Sequence, residues 1–187
     1  MKVCIAGAGA IGGFFGARLG AAGHEMSALA RGATLEALRR HGLRLDQGGE
    51  RIVAPVRAEE DPARLGRQDL VVIAVKGPAL GAIAPRIAPL VGPETIVLPA
   101  MNGVPWWFFD GLPGPFAGTR LESIDPGGAI AAAIPARQIV GCVVHASCST
   151  PEPGLVRHAM GAGLIVGEPA GGRSARAERL EIGRAHV

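Results

Sequence analysis

Residues 1–16 read MKVCIAGAGAIGGFFG, a short apolar run that passes through glycines into a second apolar pattern. Val3, Cys4, Ile5 and Ala6 are too few for a helix and suit a strand buried on both faces of a parallel sheet. Gly7, Gly9 and Gly12 follow in the spacing G-x-G-x-x-G. Gly7 permits the tight turn out of the strand, and Gly9 lets backbone N–H groups approach a pyrophosphate with no Cβ in the way. Gly12 lets the helix pack close on the sheet. The phosphates would sit at the helix N-terminus, where unpaired N–H groups and the helix dipole favour an anion. Gly7, Ala8, Gly9, Ala10, Ile11 and Gly12 are therefore the candidate dinucleotide loop. In a chain with 29 glycines among 187 residues the spacing alone says little; its place between a strand and an amphipathic run ending at Gly23 gives it meaning.

Outward from this stretch, Ile11, Phe14, Phe15 and Leu19 recur at helical spacing, which predicts a helix over 11–22. A second strand is expected over 25–30, closed by Arg31-Gly32. Thr34 is placed to cap a short helix over 35–40 that Gly42 ends. Leu43–Leu45 and Ile52–Val56, joined through Asp46-Gln47-Gly48-Gly49, look like a small hairpin. Asp61-Pro62 opens a helical turn, and Leu70 to Val75 is the clearest buried strand. A helix over 79–90, interrupted by Pro85, leads to a strand over 95–98. Strands alternating with helices predict an α/β fold with a Rossmann-like, doubly wound parallel sheet.

Residues 103–138 break that rhythm with Pro105, Pro113, Pro115, Pro126, Pro135 and the run Trp106-Trp107-Phe108-Phe109. The segment reads as an insertion whose aromatics pack onto the domain; walling a substrate pocket or meeting another subunit is the alternative. Strands resume over 139–145, 155–158 and 163–166, with Pro151-Glu152-Pro153-Gly154 turning between the first two. Gly171-Gly172 then links to a polar helix. The expected organisation is one domain over 1–172 and a linker helix over 173–187.

The composition, 48% hydrophobic and 19% charged, is globular. No run of 18 apolar residues exists to cross a membrane, and no signal-peptide layout precedes the first strand, so a cytoplasmic location is expected. The net charge of +3 comes from scattered arginines, and with 4% aromatics and no tyrosine it argues against nucleic-acid binding. Cys4, Cys142 and Cys148 match no metal spacing and read as buried free thiols, and no metal site is expected.

An NAD site normally carries Asp or Glu at the tip of the second strand; here Ser27-Ala28-Leu29-Ala30-Arg31 ends in arginine. A guanidinium suits the 2′-phosphate of NADP(H) by charge and by its forked hydrogen bonds. Lys76 follows the buried strand over 70–75, and Asn102-Gly103 follows the one over 95–98. Both emerge at the carboxyl edge that also carries the glycine turn, where ligands lie in open α/β sheets. Each also has a plain reading, as a solvated strand end and a turn dipeptide. His145 and His158 have no carboxylate or cysteine at ligand spacing and read as structural. Nothing arranges a cysteine for nucleophilic catalysis.

These pieces together resemble the N-terminal domain of the ketopantoate reductases (2-dehydropantoate 2-reductases). The likeness runs through KVCIAGAGAIGG, GHEMSALARG around Arg31, AVK at Lys76 and MNG at Asn102. It continues through GCVVH from Gly141, PGLVRH to His158 and IVGE to Glu168, to about residue 175. The resemblance implies NADPH-dependent reduction of 2-dehydropantoate, a small 2-oxo acid, to (R)-pantoate, a step of pantothenate and coenzyme A synthesis, with a homodimer as the expected assembly of the full-length protein. Carried over, Gly7–Gly12 would hold the pyrophosphate, Arg31 the 2′-phosphate, and Lys76 would lie near the ribose. Asn102 would bond at the nicotinamide end and touch the substrate. Ser147, placed after the strand over 139–145, would meet the cofactor through its backbone.

Reducing a ketone leaves an alkoxide that needs a proton donor. In the resembled family that donor is a lysine in a following helical domain. Lys2 and Lys76, the only lysines here, do not match it, so no catalytic residue is expected in this chain. Residues 181–187, EIGRAHV, are encodable by GAG ATC GGA AGA GCA CAC GTC, which looks like read-through of a sequencing adapter. The chain is accordingly expected to be a fragment with a non-native tail. A non-catalytic NADPH-binding sensor or interaction module, or a reductase of another 2-oxo acid, is the alternative.

Overall fold

The computed structural model describes residues 1–182, with side chains through Leu180; residues 183–187, most of the tail expected to be non-native, lie outside the described residues. A five-stranded parallel sheet runs in the order β5 (Arg57–Glu59), β2 (Glu25–Leu29), β1 (Lys2–Ala6), β6 (Leu70–Ile73), β7 (Ile96–Pro99). Counted along the chain this is 3-2-1-4-5, so the winding reverses beside β1 and opens a crevice between the carboxyl ends of β1 and β6. The Rossmann-like expectation is met. Strand β1 shows why its run is continuously apolar: Val3 and Ile5 enter the core on one face, Cys4 and Ala6 the core on the other.

A second sheet, which joins the early hairpin to the late strands by a pairing that no local sequence pattern announces, lies against the first helix. It runs β4 (Glu50–Ala54), β3 (Leu43–Gln47), β9 (Leu155–Gly167), β8 (Gly141–Glu152), with β3 and β9 parallel and the other pairs antiparallel. Helix α1 (Ala10–Ala21) is held between the two sheets, burying Gly12, Gly13, Phe14, Phe15, Gly16 and Ala17. A Cβ on Gly13 would come within 2.6 Å of Val156 Cγ2, one on Gly16 within 2.9 Å of Leu43 Cδ1, and one on Gly20 within 2.5 Å of Ala54 Cβ. The glycines beyond the phosphate motif thus let the second sheet approach, and α1 is buried on two sides.

Several elements depart from expectation. The helix α2 (Gly32–His41) is capped by the extended backbone of Arg31, not by Thr34, so it begins directly at the strand tip. Strand β5 has no counterpart among the expected elements, because Arg57-Ala58-Glu59 has one buried residue and no readable period. Strand β6 ends at Ile73, although Ala74 still donates to the Ala6 carbonyl. Pro85 divides the expected helix over 79–90: α3 covers Leu80–Ile83 and a 3₁₀ turn covers Pro85–Leu90. The hairpin β3–β4 closes on Gly48-Gly49, both at positive φ (61° and 85°). The three late strands are two long ones, with register irregularities along β8 that a short-window reading breaks into pieces.

Residues 103–138 are mostly irregular, with a short helix α4 (Ala129–Ala133). Trp106 and Trp107 pack into the core beside Ile73, Leu80, Val97 and Ile130, whereas Phe108 is exposed. Past this segment, Ile139 bridges Val97 and Cys142 bridges Ala100, so the chain enters beside β7 before joining the second sheet. Helix α5 (Ala175–Ile182) follows Gly171-Gly172. Among the described residues no helix is long and apolar enough to cross a membrane.

Candidate cofactor site

At the head of the crevice the glycines divide their work as the chemistry of the motif requires. Gly7 sits at φ 104°, and a Cβ there would come 2.6 Å from Val75 Cγ1 and 2.9 Å from the Ala74 carbonyl oxygen. A Cβ on Gly12 would come 2.1 Å from the Gly7 carbonyl oxygen. Around Gly9, by contrast, nothing lies within 4 Å of where a Cβ would stand. Gly9 also caps α1 with no side-chain hydrogen bond, so the helix presents its first N–H groups to open space. Glycine at position 9 is thus not required by any protein neighbour. An anion on the helix N-terminus fits this opening.

Two cavities continue the crevice. The smaller, about 210 Å³, is bordered by Gly7, Leu29, Ala30, Arg31, Val75 and Arg86. Arg31 is exposed, and among the described residues its guanidinium joins no ion pair, whereas Arg39 and Arg64 pair with Glu59. The larger groove, about 650 Å³, is bordered by Gly77, Met101, Asn102, Trp106, Trp107 and Asp125. Lys76 caps the 3₁₀ turn Gly77–Ala79 and is exposed; it borders neither cavity itself, although its neighbours Val75 and Gly77 border the smaller and the larger. The structure therefore gathers the glycine loop, Arg31, Lys76 and Asn102 along one edge.

Asn102 is more constrained than a turn dipeptide would be. Its Nδ2 donates to the Val144 carbonyl at 2.9 Å, and its Oδ1 accepts from the Val144 N–H at 2.9 Å. The amide thus ties the end of β7 to β8 and keeps one N–H and one lone pair for a ligand. Ser147 lies within β8, not after a strand; it sits opposite Met160 between two register irregularities and borders neither cavity.

Sequence reasoning missed three contributors. Arg86 borders the smaller cavity from the 3₁₀ turn after Pro85, where a lone arginine gave no signal. Asp125 is 1% exposed, its carboxylate accepting from the Ile130 and Ala131 N–H groups at 2.8 and 2.9 Å, which braces the wall of the larger groove; it reaches the head of α4 from beyond that helix's own cap, Gly128, a spacing that no local pattern announces. Glu168 forms an ion pair with Arg176 and accepts from Ser174, while Arg176 also donates to the Arg137 and Ile139 carbonyls. That cluster anchors α5 beside the entry to β8.

The remaining candidates are structural. Burial pushes the Cys4 and Cys142 thiols up to about 11, which keeps them protonated and unreactive at neutral pH. His158 stacks on Phe14, with ring centroids 5.2 Å apart.

Residues 3–105 match the family described as ketopantoate reductase PanE/ApbA. This chain belongs to that family. Its members are NAD(P)-dependent oxidoreductases acting on small molecules. The 2-dehydropantoate 2-reductase of Mesorhizobium japonicum is 48% identical over 181 residues, 96% of this chain and 56% of that protein. A crystal structure from Ralstonia solanacearum MolK2, described as a ketopantoate reductase, superposes with a TM-score of 0.93 at 56% identity, over 97% of this chain and 56% of that one. D-mandelate dehydrogenase with NADH, at 22% identity and a TM-score of 0.77, shares the fold over 98% of this chain and 53% of its own. The chain spans about half the length of these relatives.

Proposed function

We propose that the chain forms the NADP(H)-binding part of an enzyme that reduces 2-dehydropantoate to (R)-pantoate. The observation that carries this reading is the single edge on which an open Gly9 and an unpaired Arg31 lie on one side of Lys76 and Asn102 on the other. When bound, the dinucleotide supplies hydride. The N–H groups at the head of α1 hold its pyrophosphate, and Arg31 takes the 2′-phosphate. Lys76, exposed next to Val75 and Gly77, supplies a positive charge for the ribose end of the dinucleotide. Asn102, fixed by Val144, offers its remaining N–H toward the reacting end. Trp106 and Trp107, both buried in the core, form an apolar wall of the larger groove.

Titration with NADPH and NADH tests the cofactor, with tighter NADPH binding expected and equal affinity overturning it. Turnover is tested by following NADPH oxidation with 2-dehydropantoate. We expect residues 1–187 on their own to bind the cofactor yet turn over at a rate about 10²–10⁴-fold below that of a full-length relative, because neither Lys2 nor Lys76 matches the general acid of the resembled family. Vigorous reduction by this chain alone would instead place the proton donor within these residues, with Lys76 the first to substitute. A panel of 2-oxo acids tests 2-dehydropantoate against other substrates of its class. Localisation in the cytoplasm and pairing into a homodimer complete the proposal.

A further inference from the structure

The smaller cavity carries more charge than the strand-tip arginine provides. Arg86 borders it from the 3₁₀ turn Pro85–Leu90, an element separate from the strand tip that carries Arg31. Its Nη2 donates to the Glu60 carbonyl at 2.8 Å, which holds the side chain against the segment just after β5. A guanidinium has five N–H donors, so most of the fork stays free. Arg39 and Arg64 share Glu59, at 2.8 and 3.9 Å, which offsets one of their two charges. Arg31 and Arg86 join no ion pair among the described residues, and these are the two that border the cavity. Glu60 also borders it, which leaves the wall net positive.

We propose that Arg86 is a second specificity-determining residue for the cofactor, meeting the 2′-phosphate from its own wall of the cavity while Arg31 meets it from the strand tip. The inference rests on the NADP(H) reading above. A phosphate monoester carries about −1.5 to −2 charge at neutral pH, which one guanidinium leaves partly uncompensated and two match. The ribose 2′-hydroxyl of NADH offers no such charge, so Arg86 contributes to discrimination and not to binding in general. Arginine suits the task better than lysine, because its planar fork can give two donors to one phosphate while keeping the bond to Glu60.

The test compares adenosine 2′,5′-bisphosphate with 5′-AMP, two probes that differ at the position in question, by calorimetric titration of the intact chain. Arg86→Ala and Arg86→Gln should each weaken the bisphosphate by about tenfold or more and leave 5′-AMP unchanged, with Arg86→Lys intermediate. Circular dichroism establishes that each variant is folded. Unchanged bisphosphate binding overturns the proposal, as does an equal loss for both probes, which would make Arg86 a packing surface for adenine. Loss of preference in Arg31→Ala with none in the Arg86 variants sinks this inference alone. No preference in the unsubstituted chain sinks the NADP(H) reading itself.

Discussion

At Gly9 and Gly12 the same amino acid is used for opposite reasons, and substitution separates them. No protein atom lies within 4 Å of where a Cβ on Gly9 would stand, and its φ is −84°, so a larger residue fits the free protein. Gly9→Val should therefore unfold at nearly the same denaturant concentration while losing measurable NADPH binding, since its methyls occupy the pyrophosphate's space. Normal NADPH titration in the folded variant would remove the phosphate site from this loop. Asn102 gives a second test of a single side chain. Asn102→Ala leaves the buried Val144 N–H and carbonyl without side-chain partners, which should cost about 1–3 kcal/mol in urea unfolding. Asn102→Asp keeps the acceptor for the Val144 N–H but turns a carboxylate oxygen toward the Val144 carbonyl, so it should lose at least as much as Asn102→Ala; an Asp variant as stable as the parent would mean the clamp contributes nothing through the carbonyl bond.

Among the elements, α1 decides how the two sheets meet. Its composition looks poor for a helix, with Gly12, Gly13, Gly16 and Gly20, each costing up to about 1 kcal/mol against alanine. The compensation is close approach on both sides. Gly20→Val should lose about 1–3 kcal/mol through overpacking against Ala54, whose Cβ would lie 2.5 Å from the new one. Ala54→Gly in the same protein should restore part of that loss by removing the colliding carbon. Additive destabilisation in the double variant would show that the two positions do not touch.

Across the full fold, the last described helix is held by charge. Hydrogen bonding to Arg176 holds the Glu168 carboxyl below its ordinary range despite its partial burial. A carboxyl depressed by folding contributes stability above its unfolded pKa and loses it as pH falls through the lower folded value. Anchoring of α5 should therefore be constant from neutral pH down to about 4.5, near the ordinary glutamate value, and weaken below it. Limited proteolysis around Gly171-Gly172 at stepped pH checks this, with faster cleavage expected in acid. Glu168→Gln should show the fast cleavage already at neutral pH; a pH-independent rate in the parent chain would discount the ion pair. Partial exposure of both side chains keeps the contribution modest, about 1 kcal/mol.

The parallel sheet, the glycine turn and the arginine at the strand tip were all legible in the order of residues. These are local: a four-residue apolar run is read within its own window, Gly7 by a φ that side chains avoid, and Arg31 by its place after β2. The candidate edge was legible for the same reason, because parallel strands send their ends to one side. The second sheet was not, since the pairing of β3 with β9 joins residues more than a hundred apart, as Arg44 opposite Leu155. No local pattern encodes such a partner. The folded chain alone also reveals what Gly13, Gly16 and Gly20 are for, that Asn102 is clamped by Val144, and that Arg86 shares a cavity with Arg31. Each of these depends on which surfaces meet across the fold, and a side chain's role there is set by neighbours distant along the chain.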